Sequence, residues 1–286
     1  MTWLLLLLAA QAVEPLLERL RSDNIEERVE AEKAIEAVGP AALPRLRELS
    51  VSDDRELAAR AKRLVEALEG ALAREAFEKA EAALHAAKTL TLTGEIEWRR
   101  KDRSSERTIR GSARMLIKEG GKMRFSIKGT IETSFKGVSN PPTALDSWLV
   151  CDGRRANMDY LSMGGKIGGE FPSPVNGQAY FRTLLARGGI VAIMQGWNYA
   201  GDAVADRVAA VSEVGWKRGR KTYRLDLGGA GSLAVDLTLS EDGRRVLKRV
   251  MTHAADESET RLVETYDAWV FDAEIPDDTF ALPAKK

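Results

Sequence analysis

"AREAFEKAEAALHAAKTLTLTGEIEW", residues 73–98, changes its hydrophobic period half-way along. Up to Ala87 the apolar positions Ala73, Ala76, Phe77, Ala80, Leu84 and Ala87 recur at three- and four-residue spacing, which lines one face of a helix. Past Lys88 the spacing falls to two. Leu90, Leu92, Ile96 and Trp98 alternate with Thr91, Thr93, Glu95, Glu97 and Arg99, as in a strand with one buried and one wet face. The stretch predicts a helix over 71–88 that feeds directly into a sheet beginning at residue 89.

Downstream the two-residue period persists. Met123, Phe125 and Ile127 alternate with Arg124, Ser126 and Lys128, and Tyr223, Leu225, Leu227 and Val235, Leu237, Leu239 repeat the pattern. Turn-rich links at 118–122, 151–155, 217–221 and 240–245 read as hairpins. Roughly nine or ten antiparallel strands follow from this alternation. The meander is interrupted by a Gly/Pro-rich loop, "LSMGGKIGGEFPSP", and a helical loop at about 174–200, where Tyr180, Leu184 and Leu185 keep helical spacing.

Upstream, residues 13–70 read as helix. "SDNIEERVEAEKAIEAVG" opens with Ser22-Asp23 and Glu26 in a capping-box arrangement and stops at Gly39-Pro40. "SDDRELAARAKRLVEALEG" repeats it with Asp53 and Glu56 and is expected to stop at Gly70. A short helix near Leu43 and Leu46 lies between. Before them, "MTWLLLLLAAQAVEP" carries a seven-residue apolar run and a small-x-small site at Ala10–Ala12, which predicts a signal peptide over 1–12 and a periplasmic or secreted protein. The run is too short to span a bilayer, so no transmembrane segment is expected in the mature protein. The single cysteine, Cys151, precludes an internal disulfide and reads as a buried small hydrophobe. Lys and Arg equal Asp and Glu at 43 each, so no global field draws the chain to nucleic acid.

The residues quoted from 73–98, with "GGKMRFSIKG", "YRLDL", "LAVDLTLSEDGRRVLKRV" and the closing "AEIPDDTFALP", resemble the outer-membrane lipoprotein-carrier superfamily, the LolA/LolB-like proteins. The likeness covers about 71–283. It implies an incomplete antiparallel β-barrel, a half-barrel covered by helices, within an α+β fold. It also implies a hollow that holds acyl chains, and a closing strand end at Phe280 and Leu282. No arginine in the sequence singles itself out as the latch of such carriers; Arg99, Arg107, Arg110 and Arg114 all lie in the right region. Residues 13–70 resemble HEAT-like repeats, through the Asp-led helix starts, Arg28, Arg60 and the Gly-Pro break. Such repeats serve as binding surfaces or as structural caps.

No Gly-x-Ser-x-Gly elbow, His-Glu-x-x-His helix or phosphate loop is present, and the two histidines, His85 and His253, have no ligand-spaced partners. Neither catalysis, a cofactor nor a metal is expected. Cavity candidates are Leu92, Trp98, Phe125, Ile127 and Trp148 in the first half of the sheet. Tyr160, Tyr180, Leu184, Trp197 and Tyr199 join them around the loop. In an open half-barrel these residues line a ligand site; in a filled one they are core. Two Trp-led basic tips, Arg99, Arg100 and Lys101 and then Lys217, Arg218 and Arg220, are candidates for contact with a membrane or an acidic partner. The expected role is a periplasmic carrier of a lipid or acylated protein. The alternative is an interaction or envelope-sensor module with a filled barrel that binds through its HEAT-like face.

Overall fold

The computed structural model describes residues 13–162, 165–172, 182, 185–186, 189–190, 208–217, 220–227, 233–255 and 257–283. Two compact units divide the chain, Met1–Glu75 and Ala76–Lys286. The leader expected over 1–12 lies outside the described residues.

The first unit is helical: α1 (13–19), α2 (Ile25–Val38), a one-turn 3-10 helix (Gly39–Ala42), α3 (Leu43–Leu49) and the start of α4 (Arg55–Ala86). Both predicted caps move by one residue. Asn24 accepts from the Glu26 N–H at 2.9 Å, and Asp54 accepts from Glu56 and Leu57 at 3.0 and 3.1 Å. Ser22 and Ser52 stand two residues earlier and accept from the N–H of Asn24 and Asp54. The two turns therefore repeat one chemistry, in which the third residue of Ser-Asp-Asn or Ser-Asp-Asp satisfies the free N–H groups of the helix start. Arg28 and Arg60 both turn back on the loop after α1, donating to Ser22 O and Leu20 O at 2.8 and 2.9 Å. Leu17, Leu20, Ile35, Leu46, Leu64 and Leu68 are central to the core of this unit.

Gly39 ends α2 in a left-handed conformation, as expected. Gly70 ends nothing: α4 runs unbroken from Arg55 to Ala86, so the two helices read from the sequence are one. A glycine in a helix interior costs about 1 kcal/mol relative to alanine. Here it sits between "RLVEALE" and "ALAREAF", strong helix formers with no proline nearby, and they outweigh it.

The second unit is built on a twelve-stranded antiparallel sheet. The first half is β1 (Thr89–Asp102), β2 (Ser105–Lys118), β3 (Lys122–Phe135), the two-residue β4 (Val138–Ser139), β5 (Thr143–Asp152), β6 (Arg155–Ser162) and β7 (Gly165–Pro172). The second half is β8 (Val208–Lys217), β9 (Arg220–Leu227), β10 (Leu233–Leu239), β11 (Val246–Ala255) and β12 (Ser258–Phe271). The spatial order is 7-6-5-3-2-1-12-11-10-9-8, with β4 beside β3. First and last strands meet at the centre, and each half runs outward as a meander to an edge. Those edges, β7 and β8, flank residues 173–207, where the helical loop expected at about 174–200 lies outside the described residues except for helical 182, 185–186 and 189–190. Among the described residues the two edges do not pair with each other. The sheet thus stays open, the incomplete barrel of an α+β fold that the resemblance implied, preceded in the chain by an all-α segment.

Register sorts the side chains into two faces. One cross-strand row reads Met158, Leu149, Phe125, Met115, Leu92 and Trp269. Another reads Leu145, Gly129, Gly111, Ile96, Glu264, Arg249 and Leu237. Apart from the two glycines, these side chains are all buried. They define the inner face. Trp148, Val150, Arg124, Ser126, Lys128, Arg114 and Leu116 alternate with them and form the outer face.

The chain end crosses that outer face. In place of the expected strand end, Asp277–Phe280 forms a single 3-10 turn, and Phe280 is buried with Leu116 and Ile275 while Leu282 is half-buried. Asp277 is paired with Lys118 and Lys122 at 2.6 and 2.8 Å, and Arg124 donates to Thr279 O at 3.0 Å. The acidic turn after Pro276 is therefore an ionic clasp that seats a phenyl ring.

Candidate functional site: a charged cluster on the apolar face

Midway along the inner face, two charges interrupt the apolar rows. Arg249 on β11 and Glu264 on β12 are direct cross-strand partners, lying between Ile96 and Leu237, and both are fully buried. Arg249 Nη1 donates to Glu264 Oε2 at 3.1 Å and to the Tyr266 hydroxyl at 2.8 Å, and the Tyr266 hydroxyl in turn donates to Glu264 Oε2. Burial pushes the Tyr266 phenol well above its usual range, and the Arg249 charge opposes that only in part. The hydroxyl is therefore a fixed donor across the ordinary pH range. Trp269 meets the Tyr266 ring edge-on at 5.2 Å.

The cluster holds the described residues of the helical loop. Arg249 Nη2 donates to Leu185 O at 2.9 Å and to Ala186 O at 2.8 Å, and the Ile190 N–H donates to Glu264 Oε2 at 3.2 Å. Leu185, Ala186 and Ile190 are themselves buried. Gly189 makes this approach possible: a Cβ there would lie 2.0 Å from Arg249 Nη1 and 2.1 Å from Glu264 Oε2. A second arginine works from the loop side. Arg182 donates to His85 O at 2.6 Å and Lys88 O at 3.4 Å, placing a cation at the carbonyl end of α4, where it offsets the helix dipole. Burial lowers its pKa, against the nearby charges of Glu119 and Asp272.

A buried ion pair inside an apolar surface is a poor source of stability, because desolvation offsets the Coulomb attraction. What this pair supplies is direction. Each of its bonds to the loop runs to a backbone group, so it fixes that segment by hydrogen bonds that can break and re-form.

Among the residues singled out from sequence, Leu92, Trp98, Phe125 and Ile127 are buried on the inner face. Trp148 is not with them. It pairs with Ser126 on the outer face, one residue out of phase with Leu149. Tyr160 lies in β6, and Lys217 and Arg220 flank the β8–β9 turn, in strands described by backbone alone. Tyr180, Leu184, Trp197, Tyr199 and Arg218 fall outside the described residues. The first basic tip is largely neutralised: Arg99 bonds to Glu106 at 2.7 Å and Arg100 to Asp102 at 3.1 Å, leaving Lys101 exposed. Arg249, Glu264 and Tyr266 were not anticipated. Their trace in the sequence is the adjacent pair Lys248-Arg249, since strand alternation turns one of two neighbouring charges inward.

Several solved structures resemble the chain. LprF from Mycobacterium bovis is 12% identical over 72% of this chain and 96% of its own, with a TM-score of 0.38. A LolA superfamily protein from Nitrosomonas europaea is 14% identical over 73% and 97%, with a TM-score of 0.27. A putative outer membrane lipoprotein-sorting protein domain from Vibrio parahaemolyticus is 10% identical over 73% and 97%, with a TM-score of 0.29. No family model and no curated protein matches the chain. Identities and scores this low leave the site to be read from its own residues. Among the described residues no helix is long and apolar enough to cross a membrane, and no cluster of three or more metal-ligating side chains occurs.

Proposed function

We propose that the protein is a non-enzymatic carrier of the cell envelope, holding a lipid or a lipid-modified chain against the inner face of its open sheet. The observation that carries this reading is the Arg249–Glu264–Tyr266 cluster, which fastens the helical loop over apolar rows through reversible hydrogen bonds. A cover meant to be permanent is more stably built from apolar packing alone. Each acyl methylene taken from water onto the face contributes about 0.8 kcal/mol. A chain of ordinary length therefore binds firmly enough to displace the cover, and closure of the cover drives release.

The near-complete burial of the inner rows also fits the alternative, a filled scaffold whose helical unit does the binding. Exposed Ile25 and Val29, one turn apart on α2, offer that unit an apolar contact. Native mass spectrometry on protein from an export-competent host separates the two, with solvent extraction of anything bound. The carrier reading expects an adduct of acyl mass, lost in Phe125→Asp and retained in Trp148→Asp on the opposite face. Clean apo protein that takes up no added phospholipid or acylated peptide, in the wild type and in Arg249→Leu alike, rejects it in favour of the scaffold.

A further inference from the structure

The outer face holds a second site, independent of the carrier reading. Strands β2, β3 and β5 and the chain end enclose an open groove of about 780 Å3. Its lining concentrates cations. Many arginines elsewhere are matched with carboxylates, as in Arg19–Glu30, Arg47–Glu69, Arg99–Glu106 and Arg110–Glu132. In the groove, Arg114, Arg124 and Lys128 face the single carboxylate of Asp146. Among the described residues neither Arg114 nor Lys128 has a carboxylate within ion-pair distance, although Lys128 is the cross-strand partner of Asp146. Three cations against one carboxylate leave the lining with a surplus of two positive charges.

Register arranges these groups. Arg114, Ser126 and Trp148 form one cross-strand row, and Lys128 follows Ser126 by two residues on the same face. A hydroxyl thus sits between a guanidinium and an indole, with an ammonium next to it along the same strand. Leu116, Arg124 and Val150 form the adjacent row and add an apolar floor. Thr279, Ala281 and Pro283 form the wall, so the clasp at Asp277 is also what completes the groove.

We infer that this groove binds a small soluble anion bearing a flat apolar group, with its phosphate or carboxylate at Arg114, Lys128 and the Ser126 hydroxyl and its ring against Trp148. The volume lies within the range of small-molecule sites, about 300–1,000 Å3. β2 and β3 are paired on both sides along the groove and β5 is paired with β6 from Trp148 to Cys151, so the floor around Arg114, Ser126 and Trp148 offers no free backbone edge to a peptide strand. Charge complementarity and the aromatic wall then select a compact anionic ligand over a polypeptide.

Phenyl phosphate is the probe, and the readout is the Trp148 indole N–H signal in NMR spectra, assigned by its loss in Trp148→Phe. The expected result is a saturable shift that weakens about tenfold in the Arg114→Ser/Lys128→Ser double variant, and several-fold on raising salt for the wild type. Inorganic phosphate, lacking the ring, binds at least several-fold more weakly. Both substituted side chains are exposed, so the melting temperature serves as the folding control. Absence of a Trp148 shift, or equal affinity in wild type and double variant, overturns the inference. So does binding to phosphatidylglycerol vesicles that phenyl phosphate fails to compete with, which assigns the cations to a membrane surface instead.

Discussion

At the scale of single residues, Arg249 is a side chain whose loss is expected to cost much of the stability of the sheet. Arg249→Leu leaves the Glu264 carboxylate buried without its partner, and breaking a buried pair in this way costs about 3–5 kcal/mol. Urea unfolding measures it. The double variant Arg249→Met/Glu264→Leu recovers most of that stability, because two apolar residues replace the pair. It does not restore the bonds to Leu185 O, Ala186 O and the Ile190 N–H. Amide exchange around 185–190 is therefore faster than wild type even when global stability is recovered. If exchange there returns to wild-type rates, the cluster is not what fastens the loop. Asp277 responds to pH. Its hydrogen bonds to Lys118 and then Lys122 lower its pKa from 3.8 to about 2. A carboxylate depressed in the folded state stabilises above its unfolded pKa and loses that contribution as pH falls through its folded one. The clasp is thus intact above pH 3.8 and opens as pH drops through about 2. Amide signals of Thr279 and Phe280 followed through acid titration report the opening, and Asp277→Asn brings faster exchange there at neutral pH.

At the scale of elements, the sheet depends on glycine midway along the β2–β3 pairing. Gly129 lies directly opposite Gly111, and a Cβ on Gly129 would sit 1.9 Å from Arg110 O and 2.5 Å from Gly111 Cα. Both obstacles are backbone, so Gly129→Ala must separate the strands. The expected loss is about 3 kcal/mol, the upper end for overpacking, measured by thermal or urea unfolding. A change of only a few tenths shows that the strands can part without cost. The chain end behaves as an element of its own. Phe280→Ala empties a cluster whose buried members are Leu116, Ile275 and Phe280, and costs about 3 kcal/mol. The alternation around residue 90 predicted β1 correctly, and the links at 118–122, 151–155, 217–221 and 240–245 all proved to be strand connections. The fusion through Gly70 was not legible, because a lone glycine marks a possible stop and only the flanking helix formers decide whether it is taken. The face of Trp148 was not legible for a different reason. In "SWLVCD" apolar residues occupy both phases of the alternation, so the run does not reveal which face is inner.

At the scale of the molecule, the sheet is completed by its last strand. β1 and β12 pair from Leu90 with Phe271 to Asp102 with Ser258, joining the two meanders at the centre. Their pairing spans nearly the whole second unit, and contacts so distant in sequence slow folding through the cost of closing the loop. Truncation before Ser258 removes that junction and separates the two halves of the sheet. The expected result is loss of the cooperative unfolding transition and of near-ultraviolet circular dichroism. A truncated chain that still unfolds cooperatively contradicts the central role of this pair.

The sequence by itself determined where helix gives way to strand, because local period is a local property: helices before residue 88 and strands from residue 89, whereas the Gly-rich run read as a loop from residue 161 forms the end of β6 and β7. It also marked the acidic turn and apolar clip at the chain end. Tertiary structure decided which face each strand shows, how the halves join, and where the clip lands. Arg249, Glu264 and Tyr266 come together through strand register, and Arg114, Lys128 and Trp148 do so across three strands. Register depends on partners distant in the chain, and a shift of one residue exchanges the faces. Both candidate sites are products of that register, so neither could be assembled from the order of residues alone.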